Sequence, residues 1–559
     1  MHQVPWCIDC EGVVREGVLS TEARTWRVLN IEMRLDEPES QLRDRAARAA
    51  GVDPGRVRGC RIARRSVDAR RHGQERRLRF IVHADLVIDD GYRGERFEAA
   101  LRAGKVVEAP RAERFEVAGA RAAGKRAVVV GSGPAGLYAA LVLGLNGVAV
   151  DLIDRGAELK TRGKDVVRFH RTRVPNPESN LLFGEGGAGT YSDGKLYTRV
   201  DDPLEVPCLE MLVACGAPPD ILYDSRAHIG TDKLHKILPV LRARMEALGV
   251  RFHWHTRLDG LVCDDGPPRR VRAVHTSAGE ISCDAVFLAV GHSARDSIKL
   301  LHAQGVRVEA KPFQLGVRIE HPQELITRGR YGTGPEAARL GPASYNLICK
   351  AEGGVPASFS FCMCPGGTIV SSTNIAGLLC TNGMSNSTHS SRWANAALVT
   401  TFGPAEYGPG PFAGVEFQET LERRFFEAGG GDYTAPAQTA DDFVAGRMSA
   451  ATRHSSYTFG TTPGRIDQLL PPLARKAIAR ALLKYDQQIP GFKSAEGLLV
   501  GLESRSSGPI RLPRDRETAL ADGFANLFPM GEGAGSAGGI MSAAIDGARC
   551  ALHYVRDLA

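Results

Sequence analysis

The amino-acid sequence predicts an α/β fold built around a parallel sheet, and three observations support this prediction. An apolar run, Ala127–Val130, is followed by a glycine-rich turn and by a helix-prone apolar stretch, Leu137–Leu145. A second apolar run, Val148–Ile153, follows that helix and ends at Asp154. A further glycine-rich strand-to-helix junction occupies residues 526–549. Strand, turn, helix and strand in this order indicate a βαβ unit of the Rossmann type.

The turn after the first strand has the spacing G-x-G-x-x-G, and each of its glycines has a separate physical role. Such glycines allow a tight turn, the approach of a pyrophosphate to bare backbone, and close packing of helix on strand. The start of the helix offers unpaired N–H groups and a positive dipole end to phosphates. Asp154 lies 18 residues after Gly136, where a carboxylate can accept hydrogen bonds from both hydroxyls of an adenosine ribose. The residues predicted to bind a dinucleotide here are Gly131, Gly133, Pro134, Ala135, Gly136, Asp154 and Arg155.

Two simpler interpretations of this segment were weighed against dinucleotide binding. Residues 127–150 carry no charge and are long enough to cross a bilayer, but three glycines and Pro134 within the first ten residues argue against a membrane helix. An ordinary buried βαβ unit would leave Asp154 unexplained at the end of its strand. We therefore expect no membrane partner and favour a nucleotide site.

Composition places the chain among ordinary globular proteins. With 559 residues it is long enough for several domains, and 43% hydrophobic with 24% charged residues excludes a disordered or fibrous chain. The formal net charge of +7 is mild for this length, so nucleic acid is not expected as a partner. Twelve scattered cysteines without a small-scaffold pattern, and no signal-peptide pattern at the N-terminus, predict a cytoplasmic location.

Changes in pattern along the chain predict five segments. Strand-like runs at Leu29–Leu35, Val57–Ser66 and Leu78–Ile88 surround a helix-like run at Glu37–Ala50, which indicates a small α+β domain. The predicted segments are an N-terminal extension (1–26), this small domain (27–120), the first part of the nucleotide-binding domain (121–310), an inserted substrate domain (311–495), and the C-terminal part of the nucleotide-binding domain (496–559).

Further elements are expected inside the larger segments. A helix is expected at Asp232–Leu248, and the runs Arg251–His255, Leu261–Val262 and Val271–His275 suggest a β-meander. The remaining expected elements are a buried strand at Ala285–Val290, a helix at Pro471–Lys484 and a short linker at Ala120–Lys125.

Two local features of the first 120 residues leave alternatives open. Cys7 and Cys10 form a C-x-x-C pair, but neither a βαβ context nor a second ligand pair accompanies it, so a redox or metal role is not favoured. Residues 55–80 are densely basic, which is typical of RNA or anion binding. The alternative, that these arginines face solvent or pair with acids of the same domain, is the favoured interpretation.

The C-terminal junction is expected to complete the first site. Its glycines Gly533, Gly535 and Gly538 repeat the G-x-G-x-x-G spacing, but the sequence ends at Ala559 without room for another strand and acid. We therefore expect the strand end to bring Gly531 and Glu532 to a ligand held by the first motif. The helix start, at Gly538, Gly539 and Ile540, would point its positive dipole end at a flavin carbonyl and stabilise negative charge on the reduced ring.

Several separated motifs carry a specific resemblance over residues 28–555. Besides the two glycine motifs, they are RRSVDAR (64–70), NLLFGEGGAGTYSDGKLYTR (180–199), HIGTDKL (228–234), AVFLAVGHSARD (285–296), FCMCPGGTIV (361–370), TNGMS (381–385), APAQ (435–438) and GLESRSSGPIRL (501–512). With these motifs the chain resembles a largely uncharacterised, mostly bacterial family of FAD-dependent dehydrogenases among the glutathione-reductase-type flavoproteins. One departure lies in STHSSRWAN (387–395), where that family more often has arginine near the position of His389.

The resemblance implies a glutathione-reductase-type, Rossmann-like FAD-binding domain with an inserted mixed α+β substrate domain and a small N-terminal α+β domain. It implies non-covalent FAD, with NAD(P)H binding at most transiently and no metal. The glycine run after the second strand would approach the cofactor. The further FAD-binding residues implied are Gly186, Gly187, Gly189, Thr190, Ser192 and Gly291.

Candidates for catalysis are weaker, and each has a structural alternative. Cys362 and Cys364 are two residues apart, so on a strand both side chains share one face; a redox or metal pair is possible, but structural cysteines are favoured. Arg505 is suited to hold an anionic substrate or flavin charge, although arginines are common in this chain. Lys195 and Tyr191 are further candidates for a pocket.

The function predicted is that of a dehydrogenase- or reductase-type FAD oxidoreductase. It would move two electrons between flavin N5 and a small organic substrate, with the protein supplying position and electrostatics. An NAD(P)H-dependent flavin monooxygenase is the main alternative. A flavin-containing protein that binds or modifies RNA through residues 55–80, or a protein that binds FAD without catalysis, are the others. The sequence does not define the substrate.

Overall fold

We describe the protein from a computed structural model. The residues described are 24–72, 75–89, 91–117, 122, 124–196 and 202–558. The Cys7–Cys10 pair and part of the expected linker lie outside these residues.

One compact unit contains the described residues up to Glu113 together with Leu209–Ala227 and Tyr331–Leu340. Its first elements are β1 (Thr25–Arg34), α1 (Leu42–Ala50), β2 (Val57–Asp68), β3 (Arg71–His72), β4 (Glu75–Arg76), β5 (Arg79–Ile88), α2 (Glu95–Arg102) and β6 (Val106–Glu108). The antiparallel sheet has the order β2-β5-β1-β6, and apolar residues of α1 and α2 form a core with it. The strands and helix expected between residues 29 and 88 are present.

Several arginines of the basic segment 55–80 pair with acidic residues of the same unit. Arg61 and Arg27 both donate to the buried Asp85, at 3.1 Å and 2.7 Å. Arg65 contacts Asp224 at 3.4 Å, and Arg58, Arg70 and Arg79 bind Asp89, Asp68 and Glu32. The interpretation favoured from the sequence, arginines paired within the domain, agrees with these contacts.

The remaining elements follow in chain order. They are β7 (Arg126–Val130), α3 (Pro134–Leu145), β8 (Ala149–Ile153), α4 (Leu159–Thr172), α5 (Glu205–Ala214), α6 (Thr231–Ala247), β9 (Arg251–His253), β10 (Leu258–Cys263), β11 (Val271–Thr276), β12 (Gly279–Ser282), β13 (Ala285–Leu288), α7 (Arg295–Ala303), β14 (Glu309–Ala310), β15 (Phe313–Pro322), α8 (Gln323–Tyr331), α9 (Pro335–Arg339), β16 (Ile348–Cys349), β17 (Ser358–Cys364), β18 (Gly367–Ser371), β19 (Thr381–Ser385), β20 (Trp393–Phe402), α10 (Pro404–Tyr407), α11 (Ala413–Ala428), β21 (Ala435–Thr439), α12 (Ala440–Ala445), β22 (Thr461–Pro463), α13 (Ile466–Leu469), α14 (Pro472–Gln488), β23 (Leu498–Glu503), β24 (Ile510–Arg511), β25 (Leu527–Pro529) and α15 (Ile540–Arg556).

The second compact unit holds two large sheets. A parallel sheet has the order β25-β13-β7-β8-β9, so the strand of the C-terminal junction pairs with β13 beside the first glycine motif. A mixed sheet has the order β16-β17-β20-β15-β23-β21-β22 and is built mainly from the block expected to bind substrate. Among the described residues, no helix combines the length and apolar character needed to span a bilayer.

The prediction of a β-meander was wrong for its first strand, the run Arg251–His255. Arg251–His253 joins the edge of the parallel sheet beside β8, and the meander consists of β10, β11 and β12 instead. The Arg251 guanidinium and the His253 ring both contact the buried Asp151 carboxylate on β8, which fixes this edge strand to the sheet. The pairing is between distant parts of the chain, and the alternation of apolar residues does not reveal it.

Helix α15 packs closely on α3, and glycine makes this approach possible. A Cβ atom at Gly547 would overlap the carbonyl oxygen of Ala135. Helix α3 carries no charged residue and is buried from Ala135 to Gly144, as expected of a helix covered on all sides. The C-terminal helix therefore lies directly on the helix of the first glycine motif.

Gly547→Ala is expected to lower the free energy of unfolding by about 1–3 kcal/mol, because the added methyl group meets the α3 backbone. Gly163→Ala in α4 is the matched control, since its nearest neighbour would be the Tyr191 hydroxyl at 3.8 Å. Helix propensity alone should stabilise that variant by up to about 1 kcal/mol. Urea unfolding followed by circular dichroism measures both, and equal stability of the two variants would contradict the packing described.

Candidate cofactor site and polar cluster

The first glycine turn requires glycine at both of its ends. Gly131 has a φ of 103°, and a Cβ atom there would overlap the carbonyl oxygen of Ala289. A Cβ atom at Gly136 would overlap the carbonyl oxygen of Gly131. The turn is therefore closed against the end of β13, in the way the sequence spacing predicts.

Asp154 ties this turn to the glycine run that follows the second strand. Its Oδ2 accepts from the backbone N–H and the hydroxyl of Ser132, at 2.8 Å and 2.6 Å. Its Oδ1 accepts from the backbone N–H groups of Gly156 and Gly184, at 2.8 Å and 3.0 Å. A carboxylate offers about four acceptor sites, so these donors use the full capacity of the buried Asp154. Its role toward an adenosine ribose stays a prediction.

Arg162 holds the carbonyl side of the same glycine run, and sequence reasoning missed it. Its fully buried guanidinium donates to the carbonyl oxygens of Asn180 at 2.8 Å, Glu185 at 2.6 Å and Gly187 at 2.8 Å. Burial lowers the pKa of Arg162 to about 10, so it stays charged at neutral pH. The sequence signal that could have found it is a basic residue at helical spacing from the apolar residues Leu159, Val166 and Phe169, all on the buried face of α4.

Tyr191, expected near a pocket, packs instead against Arg162. The Arg162 guanidinium lies 4.9 Å from the centre of the Tyr191 ring, and the His235 ring meets it edge-on at 5.2 Å. Tyr191 is buried, so it supports the glycine run from behind.

The glycine run lies against both helix starts. A Cβ atom at Gly187 would come within 2.9 Å of Gly133 Cα. A Cβ atom at Gly189 would come within 3.2 Å of the Ile540 side chain, at the first turn of α15. The structure thus brings together the first motif, the run at 186–189 and the C-terminal helix start.

The C-terminal turn is fixed to the same place. The backbone N–H of Gly531 donates to the Asp546 carboxylate of α15 at 2.7 Å, and a Cβ atom at Gly531 would lie 2.8 Å from Ala135 Cβ. A Cβ atom at Gly533 would lie 2.8 Å from the backbone nitrogen of Gly291. Gly291, predicted from the AVFLAVGHSARD motif, is therefore next to the terminal turn.

Some glycines of this region are not explained by the protein alone. A Cβ atom at Gly538 would meet no atom of the described residues within 4 Å, and at Gly133 the nearest atom is 3.9 Å away. Gly538 also lacks the left-handed φ that would demand glycine. Gly291 also has open space around it, although its φ of 72° by itself favours glycine. Bare backbone at two helix starts fits the phosphates and ring of a dinucleotide. These residues therefore fit FAD.

Other residues predicted to bind FAD make contacts within the protein. The Thr190 hydroxyl donates to the Glu185 carbonyl at 2.9 Å, and the Ser192 hydroxyl to the Gly189 carbonyl at 2.7 Å. A Cβ atom at Gly186 would overlap the Thr190 hydroxyl. Arg155 binds Glu178 at 2.6 Å and Asp296 at 2.8 Å. Thr190, Ser192 and Gly186 therefore stabilise the conformation of the glycine run, and Arg155 forms ion pairs beside it.

Glu532 follows the terminal turn and lies near two basic groups. Its Oε1 is 3.7 Å from Nδ1 of His292. Burial raises the pKa of Glu532 to about 7, although the Lys311 ammonium opposes the shift. Burial also lowers the pKa of His292 to about 3, so this ring is neutral and does not compensate the carboxylate.

A second group of side chains, here called the polar cluster, joins the end of the glycine run to the mixed sheet. Its members lie in five of the family-like motifs, in the segment 387–395 or on β15: Asp193, Lys195, His228, Arg318, Cys362, Cys364, Ser385, His389, Asn395 and Glu503. Three catalytic candidates from the sequence, Lys195, Cys362 and Cys364, come together here.

Lys195 and Asp193 form the ion pair at the centre of the polar cluster. Lys195 Nζ lies 2.5 Å from Asp193 Oδ2 and donates to the carbonyl oxygen of Met363 on β17. The other carboxylate oxygen accepts from the Ser385 hydroxyl and lies 3.3 Å from His228 Nε2. Burial opposes both charges, but each partner stabilises the other, so the pKa of Asp193 is lowered and that of Lys195 is raised.

Arg318 is the fully buried cation of the polar cluster, and it was not predicted. Its guanidinium donates to Asn395 Oδ1 at 2.9 Å, to Glu503 at 3.1 Å and to the carbonyl oxygen of Cys362 at 2.7 Å. Only the strand pairing of β15 with β20 and β23 brings these residues together. The motif GLESR contains Glu503, but its partner lies 185 residues earlier.

The prediction that Cys362 and Cys364 share one face of a strand was wrong. The pairing of β17 with β20 shifts between Phe361 and Cys364, which leaves an extra residue on β17. Cys362 has a left-handed φ of 42° and is exposed, whereas Cys364 is buried. The bulge places the two thiols in opposite environments.

His228 and His389 stack with ring centres 4.3 Å apart, next to Asp193. One ligand atom of each of these three residues lies within 4.8 Å of the others. His389 Nδ1–H donates to the carbonyl oxygen of Pro365, 2.8 Å away. Since Lys195 already neutralises Asp193, the group acts as a charge-balanced pair of imidazoles beside a carboxylate.

Arg505 does not belong to the polar cluster. Its buried guanidinium binds Glu422 through two hydrogen bonds of 2.9 Å and 2.7 Å and donates to Asn374 at 2.7 Å. Arg295 also contacts Glu422, at 3.2 Å. The side chain that sequence reasoning offered for anion binding is therefore used inside the protein.

Comparisons with known proteins agree with this geometry. The family model "FAD-dependent protein, C-terminal domain-like" matches residues 312–506, the model "FAD binding domain" matches 125–172, and a domain of unknown function matches 26–83. The protein is an FAD-dependent oxidoreductase, which confirms the predicted cofactor and enzyme class.

The chain belongs to the same family as an uncharacterized protein of Clostridium beijerinckii (strain ATCC 51743 / NCIMB 8052). The two are 35% identical over 534 residues, which cover 95% of this chain and 98% of the relative. Glycine oxidase from Bacillus cereus ATCC 14579 is similar in structure over 78% of this chain and 95% of its own, with 10% identity and a TM-score of 0.34. L-amino acid deaminase from Proteus vulgaris is similar in structure over 80% of this chain and 96% of its own, with 13% identity and a TM-score of 0.30.

Arg162→Lys is expected to weaken FAD binding at least about ten-fold, because an ammonium cannot hold three carbonyl oxygens in the fork geometry of a guanidinium. Titration of the apoprotein with FAD, followed by flavin fluorescence, measures the dissociation constant. Arg171→Lys, at an exposed position of the same helix, should bind FAD like the wild type. Equal affinity of both variants would show that Arg162 does not position the glycine run.

Stability should fall as pH rises from about 5 to about 8, because native Glu532 binds a proton more tightly than the unfolded chain does. The raised pKa favours the native state at low pH, and this contribution is lost on ionisation. Glu532→Gln should flatten the profile by about 2–3 kcal/mol. Urea unfolding at several pH values measures this, with the exposed Glu246→Gln as control. An unchanged slope in Glu532→Gln would refute the assignment.

Proposed function

We propose that this enzyme is a dehydrogenase- or reductase-type flavoenzyme that exchanges two electrons with an organic substrate bound at the polar cluster. The observation that carries the proposal is the position of the Lys195 ammonium, which is charged, fixed and partly exposed. The ammonium joins the end of the glycine run to the bulge at Cys362, and the Lys195 side chain is about one-fifth exposed (20%). FAD supplies the two-electron chemistry, and Gly133, Gly187, Gly291, Gly538 and their neighbours would hold it.

Lys195 supports a substrate that carries an anionic group. Asp193 keeps the ammonium charged and fixes its position, and Arg318 adds a second cation behind it. Arg318 is neutralised by Glu503 and is not exposed, so Lys195 is the cation of the cluster available to a ligand. A carboxylate or a similar anion is the group that this charge would hold.

The histidines of the cluster are suited to hold and move a proton. His228 Nε2 lies 3.0 Å from the Ser385 hydroxyl and 3.3 Å from Asp193, so its position is fixed beside the carboxylate. His389 stacks on it, and burial lowers the pKa of His389, which favours the neutral form of that ring. Proton transfer to or from a substrate group is the contribution we assign to His228.

The alternative functions have less support. Several arginines of residues 55–80 are paired with acids, which weakens the RNA-binding interpretation. A monooxygenase would need NAD(P)H and oxygen in equal amounts, and the experiment below separates it. The finer assignment to the glutathione-reductase type remains part of this proposal.

Anaerobic reduction of the FAD-loaded enzyme tests the proposal. NADH, NADPH and a panel of organic acids are mixed with the protein, and loss of flavin absorbance near ~450 nm is followed. Lys195→Met should slow reduction by the substrate at least about ten-fold while FAD binding is unchanged, since it removes a fixed charge. The exposed Lys164→Met is the control.

Two results would contradict the proposal. Reduction of Lys195→Met at the wild-type rate would remove the polar cluster as the substrate site. Oxygen uptake matched by NAD(P)H consumption and a hydroxylated product would show a monooxygenase instead.

A further inference from the structure

We propose that Cys362 and Cys364 form a second redox site, a dithiol–disulfide pair that exchanges two electrons with an organic disulfide. This activity goes beyond the flavin reaction and needs no cofactor. Its basis is the geometry of the bulge in β17.

The two thiols have the unequal exposure that such an exchange requires. Cys362 is exposed and can meet a disulfide from solution, whereas Cys364 is buried behind it. The Cys364 thiol donates to the carbonyl oxygen of Cys362 at 3.3 Å, so its sulfur lies against the backbone of its partner. An exposed attacking thiol followed by a buried resolving thiol is the arrangement that completes thiol–disulfide exchange.

The bulge removes the usual obstacle to a bond between cysteines two residues apart. In a regular strand their Cα atoms are about 6.6 Å apart, near the upper limit for a disulfide. At Cys362 the chain leaves strand geometry, because φ is 42° and β17 has an extra residue between Phe361 and Cys364. The three steps from Phe361 to Cys364 on β17 lie opposite only two steps, from Ala397 to Asn395, on β20, so the segment that holds both cysteines is compressed.

Two cations hold this strained conformation. Arg318 donates to the carbonyl oxygen of Cys362 at 2.7 Å, and Lys195 donates to the carbonyl oxygen of Met363. A left-handed conformation at a residue other than glycine costs free energy and persists only where its surroundings enforce it. The residue held in this conformation, Cys362, is exposed, so its side chain does not fill the core. We therefore assign the conformation to chemistry at its sulfur.

The cations also favour thiol chemistry. Burial raises the pKa of the Cys364 thiol to about 12, and the charges of Lys195 and Arg318 oppose this shift. Arg318 Nη2 lies 3.5 Å from Cys364 Sγ. Burial also raises the pKa of the Cys362 thiol, to about 11, so the order of reaction follows exposure: Cys362 reacts first because it is exposed and Cys364 is buried.

The exchange balances without any other reagent. The Cys362 sulfur attacks one sulfur of R–S–S–R, a new S–S bond forms, and one RSH leaves with the proton of Cys362. The Cys364 sulfur then attacks the Cys362 sulfur, the mixed bond breaks, and a second RSH leaves with the proton of Cys364. Two protein thiols are oxidised to a disulfide and R–S–S–R is reduced to two RSH.

The experiment uses the reduced, full-length, FAD-loaded protein and bis(2-hydroxyethyl) disulfide as the probe. Tryptic digestion gives one peptide, residues 351–392, that contains Cys362, Cys364 and Cys380. In the wild type this peptide should lose two hydrogens and show no fragment ions between positions 362 and 364. Cys364→Ser should carry one hydroxyethylthio group on Cys362, and Cys362→Ser should react at least ten-fold more slowly.

Cys380→Ser is the matched control, because Cys380 is buried in the same peptide against Ser504 and should not change the outcome. The proposal is overturned if the wild-type peptide keeps both thiols, or if Cys362→Ser reacts as fast as the wild type. Should Cys362→Ser fail to fold, the mixed disulfide trapped in Cys364→Ser decides the question. Flavin reduction is measured separately, so failure here leaves the proposed oxidoreductase function standing.

Discussion

The Asp154 carboxylate is the constraint on which the cofactor site depends. Its four hydrogen bonds join Ser132, in the first glycine turn, to Gly184, where the second glycine run begins. Buried N–H groups left without acceptors would cost about 1–3 kcal/mol each. Arg162 performs the complementary task and satisfies the carbonyl oxygens of the same run. The Asp154 carboxylate binds the N–H groups and the Arg162 guanidinium binds the carbonyl oxygens. Together they fix the backbone of the glycine run, which is flexible because of its glycines.

In the polar cluster, too, buried charged side chains bind backbone groups and hold the chain in position. Lys195, a few residues beyond the glycine run, donates to the carbonyl of Met363, and Arg318 donates to that of Cys362. Buried charges of this kind contribute little net stability, because desolvation offsets much of their attraction. What they provide is position: each fixes a segment that regular hydrogen bonding does not hold. The glycine run and the bulge of β17 are therefore coupled through one ammonium group.

Local features of the site could be predicted from the sequence, and features that depend on distant pairing could not. The βαβ unit from Ala127 to Asp154 was predicted because its strands, turn and helix are neighbours in sequence. The edge position of Arg251–His253 and the bulge at Cys362 result from pairing with distant strands, and no periodicity reports them. Arg162 and Arg318 were missed because a buried arginine is recognised only by its acceptors. The elements were thus predictable, and the contacts that arrange the site were not.

Arg505 and Lys195 show why partners, and not residue type, decide which cation can bind a ligand. Arg505 was predicted as a candidate for an anion site and Lys195 as a candidate for a pocket. The Glu422 carboxylate, which is fully buried and shared with Arg295, accepts two hydrogen bonds from Arg505, and Asn374 accepts a third, so this guanidinium is engaged inside the protein. Asp193 holds Lys195 on one side only, and the adjoining bulge carries the exposed Cys362. A charged group can bind a substrate only where it is accessible from solvent. Of these two cations, Lys195 is partly exposed and Arg505 is buried, so Lys195 is the one that can bind a substrate.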